Sequence, residues 1–141
     1  MSEDENVARV DGDGVVVVRR GERVAPVVFA VGPTLSETLA AVADLPVTVA
    51  YTATPHPLDG DGLRDAIGPG RHVVLVEPYL VGTSAARVAA ALVDRPHRLL
   101  SLGVTNPELR RYSTRAEHRA AHGLDAAGIW ASIKRFLTAG T

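Results

Sequence analysis

Short runs of aliphatic and β-branched residues alternate along this chain with stretches in which apolar positions recur every three or four residues. Val15 to Val18 is the first apolar run, closed by Arg19, Arg20, Gly21 and Glu22, and Val27 to Val31 is the second. The pattern predicts two strands, with a hairpin as the simplest connection and the first strand as an antiparallel edge. After Gly32 and Pro33, Thr34 and Glu37 stand at capping-box spacing, while Leu35, Leu39 and Val42 share one helical face. That helix is expected to end near Asp44; Pro46 forbids its continuation, and Val47 to Tyr51 reads as a third strand. A short helix, Gly62 to Ile67, is broken by Gly68, Pro69 and Gly70 before a strand from Val73 to Val76. A helix from about Ser84, its N-cap, to Val93 precedes Pro96 and a strand from Arg98 to Leu102.

The last third reads as helical. Asn106 precedes Pro107, Thr114 and Glu117 form a second capping-box pair, and Asp125 caps a final helix. In that helix Ile129, Ile133, Phe136 and Leu137 share a face flanked by Trp130, which therefore needs a docking surface. Strands alternating with helices predict an α/β three-layer sandwich: a mostly parallel, five-stranded mixed sheet with one antiparallel edge strand. Residues 1–14 are polar and glycine-containing and read as a flexible leader, leaving 15–141 as one domain.

Composition narrows the function. Fifteen Lys and Arg residues balance sixteen Asp and Glu, so there is no electrostatic footprint for nucleic acid or an anionic membrane. With no cysteine, disulfides, thiolate catalysis and cysteine-ligated zinc are excluded. The acidic start, MSEDEN, is unlike a secretory signal, and no apolar run approaches the roughly 20 residues of a membrane span. A cytoplasmic protein is expected.

Several motifs touch on chemistry without completing a site. Gly12-Asp13-Gly14 and Gly60-Asp61-Gly62 each repeat the GDG that opens the metal-diphosphate signature of thiamine diphosphate enzymes. The downstream paired asparagine is missing, so both read as turns. Gly82-Thr83-Ser84-Ala85-Ala86 echoes a nucleophile elbow, with alanine in place of the final glycine; the competing reading is a small hydrolase using Ser84. His118 and His122 have the i, i+4 spacing of metal-binding helices, yet HRAAH lacks the glutamate that zinc hydrolases use as a base. Glu77 is a lone acid at the predicted C-terminal mouth of a buried parallel strand, where open α/β sheets place binding chemistry. Either it is a solvated or arginine-paired strand-end acid, or Glu77, Pro78 and Tyr79 form an interface or the rim of a neighbour's active site. His56, in the loop after another strand, falls at the same end of the sheet. On this reading Glu77→Ala leaves folding nearly intact.

In order, four segments resemble the C-terminal domain of the transketolase family: VVFAVGPTLSETLAAV (27–42), VTVAYTATPHPLD (47–59), VVLVEPYLVGTSAARVAAAL (73–92) and HGLDAAGIWASIKRFL (122–137). His122 stands where the family usually has tyrosine, and the loop after Glu77 is poorer in glycine. The resemblance implies a stand-alone C-terminal subunit of a split, thiamine diphosphate-dependent transketolase. Its cofactor and Mg²⁺ would lie in separately encoded partners carrying the pyrophosphate- and pyrimidine-binding domains. It implies that this chain alone holds no cofactor, that no residue of it is catalytic, and that a homodimer through sheet-edge or helix contacts is compatible. The competing readings are a non-catalytic interaction or regulatory module, and the equivalent domain of a 2-oxoacid dehydrogenase beta subunit or a deoxyxylulose phosphate synthase.

Overall fold

The computed structural model describes residues 14–54, 58–104 and 124–139. His56, Asn106, Pro107, Thr114, Glu117, His118 and His122 lie outside them. Five strands, β1 (Val16–Arg19), β2 (Val27–Val31), β3 (Thr48–Thr52), β4 (His72–Leu80) and β5 (Arg98–Val104), form one sheet in the order β1-β3-β2-β4-β5. Strands β2 to β5 are parallel and β1 is antiparallel, as the alternating pattern predicts. The hairpin is not formed: β1 pairs with β3, not with β2. The reason lies in β2, all five residues of which are buried. Such a continuous apolar run belongs in the sheet centre, and with β3 and β4 on its two sides it leaves no edge for β1.

Arg19 holds β1 in this place. Its guanidinium donates to the carbonyls of Val42 (2.9 Å), Leu45 (2.8 Å) and Val47 (3.1 Å), which line the link into β3. The β1–β3 register shifts between Val17 and Arg19, where the strand bends to deliver that side chain.

Four α-helices occur among the described residues: α1 (Leu35–Ala41, after a 3₁₀ turn Gly32–Thr34), α2 (Gly60–Ile67), α3 (Ala85–Ala91) and α4 (Ala126–Ala139). Two-residue alternation along the strands separates two cores. Val28, Ala30, Val49, Val74 and Val76 meet Leu35, Ile129 and Ile133 of α1 and α4 on one face. Val27, Phe29, Val31, Val73 and Leu75 meet Leu63, Val88 and Leu92 on the other, beneath α2 and α3. The apolar stripe of the final helix thus docks on the sheet, leaving Trp130 46% exposed.

Asp125 caps α4 as the sequence predicts, whereas α1 starts differently from its sequence signal. Thr34 is itself helical in backbone (φ −79°, ψ −8°) and makes no side-chain cap bond to α1. Its hydroxyl accepts from the Val31 amide (3.1 Å) and lies 2.9 and 3.1 Å from the carbonyls of Val31 and Val76, tying the ends of β2 and β4 together. Glu37 serves another helix: its Oε2 accepts from Ala126 N at 2.8 Å, beside Asp125, whose Oδ1 accepts from Gly128 N at 2.9 Å. Two carboxylates therefore satisfy the first turn of α4, where the helix dipole favours negative charge.

Candidate functional site

Buried polar groups gather at the C-terminal ends of the parallel strands. Thr34, Thr52, Glu77 and Ser84 are all there, each at most 8% exposed. This is the end at which open α/β sheets form sites. The centre of it is β4, which does not stop at Glu77 but runs to Leu80. Pairing with β5 is regular up to Val76↔Leu102 and resumes at Leu80↔Val104, so Glu77, Pro78 and Tyr79 stand opposite Gly103 alone. Pro78 has no amide to give to the ladder, and a bulge is where a strand accommodates proline. The bulge is possible because residue 103 is glycine: a Cβ there would lie 2.6 Å from the Tyr79 carbonyl and 3.0 Å from Val81 N.

Glu77 is fully buried. This corrects the expectation of a solvated or arginine-paired acid, because the alternation that sends Val73 and Leu75 under α3 sends Glu77 there too. Oε2 accepts from Ser84 N at 3.3 Å; Oε1 has no hydrogen-bond partner, and no cationic side chain among the described residues pairs with the carboxylate. Glu77→Ala is accordingly no longer expected to leave folding intact, since it would empty a core position and strip the Ser84 amide of its acceptor. Pro78 and Tyr79 are half-buried, Tyr79 against the core beneath α3. Above Glu77 the turn is open to solvent, with Val81 46% exposed and Gly82 and Thr83 exposed beside it. Gly82 adopts φ +89°, a conformation that favours glycine.

Ser84 precedes α3, but its hydroxyl makes no cap bond and is buried without a partner. The capping acceptor is Glu77, an inversion that spacing alone does not show. The nucleophile reading gains nothing: both described histidines, His72 and His97, lie at the N-terminal ends of β4 and β5, opposite Ser84. His72 packs edge-on to Phe136, and His97 Nδ1 is 3.1 Å from the Arg95 carbonyl.

The second GDG is the first turn of α2. Asp59 caps it, with Oδ1 accepting from Gly62 N (3.0 Å) and Oδ2 from Val15 N (3.0 Å), while the Asp61 side chain is 97% exposed. The Gly62 amide is thereby occupied by protein, and no group of three potential ligands clusters among the described residues. These residues do not fit a metal-diphosphate site. The amides of Val15 and Gly62 hold the Asp59 carboxyl below its ordinary 3.8. A depressed folded value means its contribution is complete above pH 3.8 and is lost as pH falls through the lowered value. Asp59→Ala should cost about 1 kcal/mol at neutral pH, with the gap to wild type closing below about pH 4. Urea melts across pH check this, and a gap independent of pH would contradict it.

The parallel sheet, the stitched ends of β2 and β4 and the acid beneath the β4–α3 turn can be set against known proteins. Over 92% of its length the chain superposes on 44% of a solved chain described as "Split gene transketolase, inactive beta4 tetramer", with a TM-score of 0.76 and 23% identity. The chain has a transketolase fold. The likeness carried by the four sequence segments is thus borne out in three dimensions. Two curated relatives also match. One is the "Uncharacterized 33.6 kDa protein in fasciation locus" of Rhodococcoides fascians, 47% identical over 131 residues, 91% of this chain and 41% of that protein. The other is the 1-deoxy-D-xylulose-5-phosphate synthase of Paraburkholderia xenovorans (strain LB400), 36% identical over 131 residues, 85% of this chain and 19% of that enzyme. The transketolase-type domain therefore spans less than half the length of each protein it matches. No protein-family model matches it. None of its described helices is long and apolar enough to cross a membrane.

Proposed function

We propose that this chain is the assembly-supporting C-terminal subunit of a split, thiamine diphosphate-dependent transketolase, moving a two-carbon ketol unit between sugar phosphates only with separately encoded partners. The observation that carries the reading is the fold shared with a split-gene transketolase chain whose solved form is an inactive tetramer of its own kind. The poor fit of the GDG turn to a diphosphate supports placing the cofactor and Mg²⁺ in the partners. The bulged end of β4, with Pro78, Tyr79 and exposed Val81, is the surface we assign to docking; His56, the other candidate for it, lies outside the described residues. The chain is read as a cytoplasmic protein.

The test is reconstitution. Purified chain and the chain or chains carrying the pyrophosphate- and pyrimidine-binding domains are assayed apart and mixed, with thiamine diphosphate and Mg²⁺ present. Ketol transfer is expected only in the mixture, with co-elution as one complex. A complex without activity would replace the catalytic reading by that of an interaction module, and no complex at all would remove both. The match to the Paraburkholderia enzyme favours a second reading, a part of a deoxyxylulose phosphate synthase. Formation of 1-deoxy-D-xylulose 5-phosphate by the mixture would select it.

A further inference from the structure

The acid under the β4–α3 turn has more hydrogen-bonding capacity than it uses. Glu77 spends one oxygen on the Ser84 amide at 3.3 Å, its other oxygen is unpartnered, and so is the equally buried Ser84 hydroxyl. Polar atoms left unpaired in a core are a stability cost that natural folds seldom carry without a reason. Val81 N is tied to the Val104 carbonyl at 3.0 Å, but beyond it two ties of the turn are long: Gly82 N to Ser101 Oγ is 3.2 Å and Ala85 N to the Gly82 carbonyl 3.3 Å. The preferred N–H···O separation is about 2.9–3.0 Å. A solvent-exposed tip, a glycine at positive φ and long hydrogen bonds at Gly82, Ser84 and Ala85 over an under-used acid describe a segment of low local stability, hinged where Val81 is tied to β5, on a rigid sheet.

We propose that Val81–Ser84 is a movable docking turn and that Glu77 is its positioning residue, holding the closed form through the Ser84 amide. Its purpose rests on the docking reading above, but its test needs no partner, so the two can fail separately. The Glu77 oxygen and the Ser84 hydroxyl are the unused capacity that an arriving hydrogen-bond donor would engage when the turn moves. Keeping them unpaired in the free chain lowers stability in return for that movement.

Hydrogen exchange and thermal melting of the full chain alone provide the test. In the wild-type chain the amides of Gly82 to Ala85 should exchange much faster than those of β2. Glu77→Gln keeps the size of the side chain but offers a weaker acceptor, so those turn amides should exchange about tenfold faster still. Its melting temperature should hold or rise, because a carboxylate without a countercharge has left the core. Ser84→Ala should raise the melting temperature by about 3 °C and leave the turn amides as they were. Turn amides as protected as β2 would overturn the proposal. So would Glu77→Gln lowering the melting temperature with an even rise in exchange across the sheet, or Ser84→Ala lowering it.

Discussion

Gly103→Ala should destabilise the domain by about 1 to 3 kcal/mol, toward the upper end of what overpacking costs. The added methyl would meet the Tyr79 carbonyl at 2.6 Å, Val81 N at 3.0 Å and Val81 Cα at 3.1 Å. All three are backbone atoms, so no side chain can swing aside; either β5 moves out or the bulge of β4 flattens. Flattening the bulge would also shift Pro78, Tyr79 and the docking turn, so this substitution links stability to the proposed interface. Gly60→Ala is the control, because its Cβ would find only the Ala91 methyl at 3.6 Å, an ordinary contact in the first turn of α2. Urea denaturation should show the Gly60 variant within about 0.5 kcal/mol of wild type. A Gly103 variant as stable as the Gly60 one would mean that the two strands do not approach so closely.

The second large effect is expected at Arg19. Arg19→Ala removes three hydrogen bonds from a guanidinium to the carbonyls of Val42, Leu45 and Val47. Bonds to a charged group contribute about 1.5–3 kcal/mol singly and do not add, so a total of about 2 to 3 kcal/mol is expected. Arg19→Lys should recover less than half, since an ammonium is a point donor and cannot fork across three acceptors. Arg20 makes only a 3.5 Å contact to the Ala66 carbonyl, and Arg20→Ala should cost less than about 0.5 kcal/mol. Exchange of the β1 amides should accelerate in the Arg19 variant before that of β2. Equal losses at positions 19 and 20 would show that the edge strand is held by its ladder alone.

Much of the fold was legible in the chain because burial has a local signature. The continuous apolar runs of β2 and β4 marked them as strands covered on both faces, and the spacing of Ile129, Ile133, Phe136 and Leu137 marked the seam of α4. The prolines and glycines separated these elements at nearly the right places. Strand order was less legible. A hairpin is the nearest connection for β1, yet the central place of β2 and the three carbonyls offered to Arg19 put β1 on β3. The capping box expected at α1 failed similarly: Thr34 and Glu37 have the right spacing, but Thr34 found Val76 and Glu37 found Ala126, partners far along the chain.

The site followed the same division. Sequence alone determined that an acid, a proline, a tyrosine and a glycine follow β4's apolar run at the end of the sheet where sites form, because period-two patterning and turn residues are read locally. The tertiary structure decided that the strand runs on through Pro78 as a bulge opposite Gly103, that Glu77 is sealed beneath α3, and that it caps Ser84 while Ser84 caps nothing. Those outcomes depend on how closely two backbones approach and which face each side chain meets. These are properties of paired strands and packed layers that no single segment carries.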